Sequence, residues 1–429
     1  MKLAILAPGH FHATLLQKQM YADVDSTVHV YAEPGPDLDD YVRKIESYNE
    51  RADNPTSWHL QTYTGADFME KFIAEGKADI AVISGNNQHK TRWLTRAIGA
   101  GVHTLADKPM AIDEAGFTAL ENAFVIAARN KVLLYDIMTE RHEITSMLQR
   151  AFSTIPSVFG NLENGSVDNP AVVKESVHHF SKVVSGAPIR RPAWFFDVAQ
   201  QGEGLVDITT HLVDLVQWAC FPEQTLDYRR DVRIIAAKRW PTVLTPAQFT
   251  QVTQVHPFPA FLHKDVHPDG TMHAYANGEI SYTIKGVHAK VSVMWNFEAP
   301  PGGSDTHFSV MRGSAADLVI RQGEAEGYIP VLTIEPVGGV DPAGFEAALR
   351  AALPSVHSDF PGVYIARSPS GWQVVVPATY HVGHEAHFGQ VTEQFLDYVE
   401  TGALPAWEVP NMLAKYYTTT TALALAHRQ

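Results

Sequence analysis

The chain has a single cysteine in 429 residues, Cys220, which excludes an intramolecular disulfide and a thiolate metal cluster. No apolar run approaches the roughly 20 residues of a membrane span. Basic charge is also scarce. Its 33 Lys and Arg face 47 Asp and Glu, a formal net charge of −14. That balance argues against surfaces built for nucleic acid or anionic lipid, so neither nucleic acid nor membrane is an expected partner. The opening stretch from Met1 to His10 lacks the longer apolar core and small-residue cleavage site of an export signal. It reads as a first strand, and the expected location is cytoplasmic. Internal repeats and low-complexity tracts are missing too. What remains is a long chain, 45% hydrophobic, able to fill two domains with their own cores.

The first third alternates apolar strand runs with helical patterns. Strands are expected at Leu3–Ala7, Thr27–Ala32, Asp79–Ser84, Val102–Ala106 and Val132–Asp136. Helices are expected at His10–Met20, Asp37–Tyr48, Asp67–Glu75, His89–Ile98 and Asp113–Asn130. Such alternation predicts an α/β doubly wound parallel sheet, a Rossmann domain covering residues 1–138. Ligands then bind at the carboxyl ends of the strands. The first turn, Pro8-Gly9-His10-Phe11-His12, keeps only the central glycine of a G-x-G-x-x-G fingerprint. Here His10 and His12 either take over part of a phosphate contact or simply pack. Glu33, closing the second strand, suits the ribose 2′-hydroxyl of NAD and would repel the extra phosphate of NADP. Ser84, Asn86, Asn87 and His89 after the next strand complete the cofactor candidates, with Asp107 and Lys108.

Asp107-Lys108-Pro109 ends a buried strand by delivering a lysine, held by the neighbouring proline. Further on, Gly202-Glu203-Gly204 opens an amphipathic helical pattern in which Asp207, His211 and Asp214 share one face. Ionisable groups on a mostly apolar helix need a reason, because unpaired buried charge is costly. They fit either a local Asp–His hydrogen bond or a histidine base tuned by Asp207 and facing a cleft. Glu140 and Arg141, just past the last strand of the first domain, stand where a substrate would enter, and Arg141 equally fits a surface ion pair.

From about residue 139 the pattern changes to alternating β-branched and aromatic stretches with few crossovers. They are Ala193–Val198, Val232–Ala237, Glu279–Ile284, Ala289–Trp295, Phe308–Met311, Pro330–Ile334 and Trp372–Val376. An α+β domain over 139–429 with a largely antiparallel open sheet is expected, closed by helices at His387–Glu400 and Val409–His427. Twenty-one histidines include groups at 263–273 and 381–387. Their spacing could seat a metal, yet polar loops around a sugar cleft use histidine equally well. No metal is assigned.

Asp107-Lys108-Pro109 resembles the Glu-Lys-Pro of the Gfo/Idh/MocA family of NAD(P)-dependent oxidoreductases, and Asp207-x-x-x-His211-x-x-Asp214 resembles its helix motif D-x-G-x-H-x-x-D. The 381–387 end lies outside the family's common pattern and is similar to a branch with its own C-terminal extension. The resemblance implies that Lys108 polarises a carbinol oxygen, His211 takes its proton, and Asp207 orients that group. It implies a nicotinamide cofactor, which Glu33 makes NAD more than NADP, and places Lys108, Asp207 and His211, with Glu140 and Arg141 nearby, around a carbohydrate or cyclitol. It also implies a homodimer or homotetramer. Thr209, where the family helix often has glycine, would crowd the approach. Two other readings stay open: a glycosidase or lyase working by transient C3 oxidation, and a non-catalytic sugar sensor. The sugar, the carbon and the reaction direction are not legible.

Overall fold

The structure, a computed structural model, describes residues 1–184 and 187–429. It begins with β1 (Leu3–Leu6), α1 (His12–Leu15), β2 (Thr27–Ala32), α2 (Pro36–Glu50), β3 (His59–Thr64), α3 (Phe68–Glu75), β4 (Ile80–Ile83), α4 (Asn87–Gly99), β5 (His103–Ala106), α5 (Glu114–Asn130) and β6 (Leu134–Asp136). The six strands run parallel in the order β3-β2-β1-β4-β5-β6. The order reverses between β1 and β4, which opens a crevice at their carboxyl ends. β1 and β4 are buried throughout, as strands covered on both faces must be. α5 is delimited by chemistry visible in the sequence. Asp113 caps its start by accepting from the Gly116 amide at 2.6 Å, and Lys131 ends it in the left-handed region at φ 56°.

Two expectations fail here. The predicted helix from His10 to Met20 is one turn, His12–Leu15. Beyond it the Gln17 and Lys18 amides turn back three residues, to the Thr14 and Leu15 carbonyls at 3.0 and 3.3 Å, and side chains from elsewhere take the next carbonyls: Tyr21 that of Leu16 at 2.5 Å, Trp58 that of Gln17 at 2.8 Å and Arg51 that of Lys18 at 2.5 Å. β3 was not expected at all, because it is a polar edge strand whose side chains are mostly exposed.

The remainder adds α6 (Ile144–Ser153), β7 (Val172–Ser181), β8 (Val183–Val184), β9 (Ala187–Pro188), α7 (Val198–Gln201), α8 (Thr209–Cys220), α9 (Tyr228–Asp231), β10 (Val232–Leu244), α10 (Pro246–Thr253), β11 (Met272–Ile284), β12 (Val287–Glu298), β13 (Thr306–Arg312), β14 (Ala316–Gln322), β15 (Val331–Pro336), α11 (Pro342–Asp359), β16 (Tyr364–Ser368), β17 (Gly371–Val375), α12 (His384–Thr401) and α13 (Glu408–Ala426). Nine of these strands form a mixed sheet, β10-β11-β12-β7-β13-β14-β15-β17-β16, antiparallel except where β12 meets β7. Its interior strand β7 escaped the sequence reading because it carries Lys174 inward. That lysine is buried and donates to Gln149 at 3.0 Å and Ser309 at 2.8 Å. The strand expected at 193–198 is instead a 3-10 turn, Ala193–Phe196.

α13 returns to pack on α5, α8 and β10, joining the end of the chain to its beginning. A buried ion network marks that junction. Lys415 lies 2.7 Å from Asp136 and 2.8 Å from Asp214, while Arg141 holds Asp214 through two 2.7 Å hydrogen bonds and Glu408 through one of 2.8 Å. Burial raises the Asp214 carboxyl, but Arg141 and then Lys415 outweigh it and hold the group well below the usual carboxylate range.

Candidate active site

Lys108 is delivered by the end of β5 into a buried corner. The Asp107 amide continues the sheet by donating to Ile83 at 2.8 Å. From α4, buried Lys90 donates to the carbonyl of Asp107 at 3.0 Å, and Thr91 donates to that of Met110 at 2.6 Å. The Lys108-Pro109 peptide is cis. Lys108 Nζ then donates to Asp207 Oδ1 at 2.6 Å, both residues being 6% exposed.

This pairing corrects the expected role of Asp207. It lies in the turn before α8, which starts at Thr209, so it does not share a helical face with His211. Its carboxylate orients Lys108 instead. Gly204 makes that turn possible, since a Cβ there would lie 2.0 Å from the Ala276 carbonyl oxygen. Thr209 crowds nothing: it is fully buried and donates back to the Gly204 carbonyl at 2.8 Å. The Asp214 carboxylate is committed to Arg141 and Lys415.

His211 is buried, with Nδ1 lacking any partner among the described residues. Burial, reinforced by the Lys108 charge, pushes its pKa down to about 3, so the ring is neutral near pH 7. Glu140 faces the same space and pairs with His384 at 3.2 Å. Its carboxyl is raised by burial, yet His384 foremost, then His211 and His387, hold it well below its ordinary range. His387, also buried and without a partner at Nδ1 among the described residues, is lowered to about 4, mainly by burial. Thus the start of α12 brings two histidines to the site. Sequence reasoning marked that group without a role; its His-x-x-His spacing was the available signal.

Arg141, expected at the substrate, has a different task. It is 7% exposed and all three guanidinium nitrogens are bonded, to Asp214, Glu408 and Tyr135.

Pro8, Gly9, His10, Phe11 and Glu33 line a cleft at the carboxyl ends of β1 and β2, enclosing about 1370 Å³ of atom-free space partly open to solvent. Its far wall is residues 190–195, and Trp194 Nε1 donates across it to Asp37 at 2.8 Å. His12 and Ser84 lie beneath, around the Asp107 carboxylate: His12 Nδ1 at 3.0 Å, Ser84 Oγ at 3.0 Å and His10 Nδ1 at 3.6 Å. Burial raises the Asp107 carboxyl, but His12, Lys90 and His10 together hold it well below its usual range. His10, His12 and Asp107 form the one group among the described residues with three possible metal-ligand atoms mutually within 4.8 Å. The ammonium groups of Lys90 and Lys108 close by work against a further cation there.

Asn86, Asn87 and His89 do not line this cleft. Asn86 donates to Gln200 at 2.7 Å and buried Asn87 to the Gln201 carbonyl at 2.7 Å, tying α4 to α7. His89 is exposed on α4 beside Trp93. In the 263–273 loop, His267 and His273 stack with centroids 3.5 Å apart, and His263 meets the Phe258 carbonyl at 3.1 Å.

A nicotinamide dinucleotide fits these residues in part. The cleft lies at the carboxyl ends of β1 and β2, next to the crossover point of the sheet, Glu33 lines it at the end of β2, and a Cβ on Gly9 would come within 3.1 Å of Asp37 and 3.3 Å of Trp194.

Residues 148–427 match the family described as "Putative oxidoreductase C terminal domain". The chain belongs to this family. An oxidoreductase structure from Parabacteroides merdae ATCC 43184 is 55% identical, covering 100% of this chain and 97% of that one, with a TM-score of 0.97. This family member has the fold of Gfo/Idh/MocA-type NAD(P) oxidoreductases. Levoglucosan dehydrogenase, solved with NADH and L-sorbose, superposes at TM-score 0.62 with 12% identity, covering 100% and 97% of the two chains. KijD10, a 3-ketoreductase from Actinomadura kijaniata solved with NADP, gives 0.58 at 14% identity over 100% and 97%. No curated protein matches the chain.

Proposed function

We propose that the protein is an NAD-dependent oxidoreductase acting on a secondary alcohol of a sugar, glycoside or cyclitol. Residues 1–138 would hold the dinucleotide and 139–429 the substrate. The observation that carries this reading is the buried Lys108–Asp207 pair at 2.6 Å, with neutral His211 beside it at the carboxyl end of β5. A nicotinamide held by residues 1–138 would supply the hydride acceptor or donor. Everything else falls to the chain. The Lys108 ammonium, aimed by Asp207, stabilises negative charge growing on the substrate oxygen in a dry corner. His211, neutral because it is buried, has a free lone pair for the hydroxyl proton. His384, half-exposed and paired with Glu140 at 3.2 Å, connects this corner to solvent.

The test is growth of reduced-nicotinamide absorbance when the protein meets NAD and a panel of sugars, glycosides and inositols. Sustained growth with one class supports the reading, and none with any member overturns it. A second reading, a glycosidase or lyase working by transient C3 oxidation, draws support from the extra acid–base set Glu140, His384 and His387. Its mark is sugar release with at most one equivalent of cofactor reduced.

A further inference from the structure

The glycine turn that ordinarily receives a dinucleotide's phosphates has spent its donors. Gly9 N–H donates to Ala7 at 2.8 Å and to Ser84 at 3.1 Å, and His10 N–H donates to Ser84 at 3.3 Å. His12 N–H is turned to the His10 ring at 3.4 Å, and Ala13 N–H to the His10 carbonyl at 3.0 Å. Only the Phe11 amide is uncommitted in this run among the described residues. The following helix is a single turn, too short for a helix-dipole site. An anion in the cleft must therefore find its charge partners in side chains.

The opposite wall supplies them. Arg191 is 4% exposed, yet among the described residues no carboxylate comes within ion-pair distance of it. Its Nε donates to the Phe180 carbonyl at 2.8 Å and Nη2 to that of His179 at 3.0 Å, leaving Nη1 without a protein partner there. The guanidinium rests on the rings of Phe195 at 4.7 Å and Trp295 at 5.0 Å. Burial pushes its pKa down to about 10, so it remains a cation held in a poor solvent for charge. Adjacent Arg190 lines the same cleft, is exposed, and donates to the Thr253 carbonyl at 3.3 Å, while its charge reaches Asp37. The acids of the cleft are otherwise occupied or set apart: Asp40 pairs with Lys44 at 2.6 Å, Asp37 takes the Trp194 indole, and Glu33 stands at the end of β2. A buried guanidinium with no ion-pair partner among the described residues, beside an exposed one, suits a multiply charged oxyanion.

We infer that Arg190 and Arg191, reaching across from the second sheet's side of the cleft, bind the pyrophosphate of the dinucleotide in place of the glycine turn. The inference rests on the NAD reading above. It makes cofactor binding a bridge between the two parts of the chain and gives it a salt dependence that backbone amides alone would not impose.

The experiment is calorimetric titration of the full chain with NAD, ADP-ribose, adenosine and inorganic pyrophosphate, repeated for Arg190→Ala and Arg191→Lys. The expected result is a loss of about tenfold or more in affinity for NAD and ADP-ribose in Arg190→Ala, with adenosine binding unchanged. Arg191→Lys keeps the charge but loses the fork, and is expected to weaken the same two ligands. Unchanged adenosine binding shows that each variant is folded. Equal NAD affinity in wild type and both variants overturns the inference. So does loss of pyrophosphate binding with NAD affinity intact, since the anion would then be a substrate phosphate. A wild-type protein that binds no NAD overturns the cofactor reading itself, a result distinct from the other two.

Discussion

Lys108 and Asp207 are 99 residues apart, yet their charged groups meet at 2.6 Å with side chains 5% and 8% exposed. Neither charge has solvent to fall back on. Removing one partner from such a pair costs about 3–5 kcal/mol, because the other is left buried and uncompensated, whereas replacing both with apolar groups is often neutral. Lys108→Met is therefore expected to lower the thermal midpoint, and Lys108→Met with Asp207→Leu to recover most of the loss. Both are inactive if the pair serves catalysis. Thermal unfolding of the three proteins checks this; a double variant less stable than the single one contradicts the geometry.

The junction of α13 with the first sheet depends on Lys415, which is fully buried between Asp136 and Asp214. Lys415→Met leaves Asp136 with the Tyr416 hydroxyl at 2.8 Å as its one hydrogen bond. A drop of at least about 5 °C in the thermal midpoint is expected. Lys238→Met serves as control. Its side chain is 71% exposed and 3.8 Å from Glu279, and an exposed pair of that kind is worth about 0–1 kcal/mol.

Acid should destabilise this protein before it reaches the carboxylate range. His211 and His387 are held near 3 and 4 by burial, against about 6.5 in an unfolded chain. The unfolded state thus binds more protons below pH 6.5. The stability these two groups contribute is complete above that value and lost as pH falls toward 4 and then 3. Each is expected to remove about 2 kcal/mol by pH 5. Thermal midpoints measured from pH 7.5 down to 5 should fall, and less steeply in His387→Leu. A midpoint independent of pH over that range would mean that these histidines stay solvated.

Glu33 is the sole acid at the end of β2 and lines the cleft. With Glu33→Ser, the ratio of kcat/KM for NAD to that for NADP is expected to fall by about tenfold or more, because a carboxylate that would repel a 2′-phosphate is gone. An unaltered ratio would place the ribose elsewhere.

Much of this architecture was legible in the chain itself. The strand runs Leu3–Leu6, Thr27–Ala32 and Ile80–Ile83 are apolar because both faces are covered, so periodicity found them. Where a segment's polarity is settled by distant partners, periodicity fails. β7 conceals itself behind buried Lys174, and the residues after the helix that follows β1 give their carbonyls to Tyr21, Trp58 and Arg51 instead of continuing it. The site divides in the same way. Lys108, Asp207 and His211 were marked by local motifs, and the structure brings them together. Which partner each one takes was not local information. Asp207 turns to Lys108, Arg141 turns inward to Asp214 and Glu408, and Glu140 meets His384 from a helix some 240 residues on. Arg191 left no signal in sequence, since its isolation from carboxylates exists only in three dimensions.

The most direct test of the whole account is turnover by Lys108→Met and Lys108→Arg with the best substrate of the panel, alongside NAD affinity for each. The account predicts that Lys108→Met loses about 10²–10³-fold in kcat, with Lys108→Arg in between, while NAD affinity stays within about threefold of wild type. Wild-type kcat in Lys108→Met would contradict it, because the charge at the end of β5 would then have no part in the chemistry.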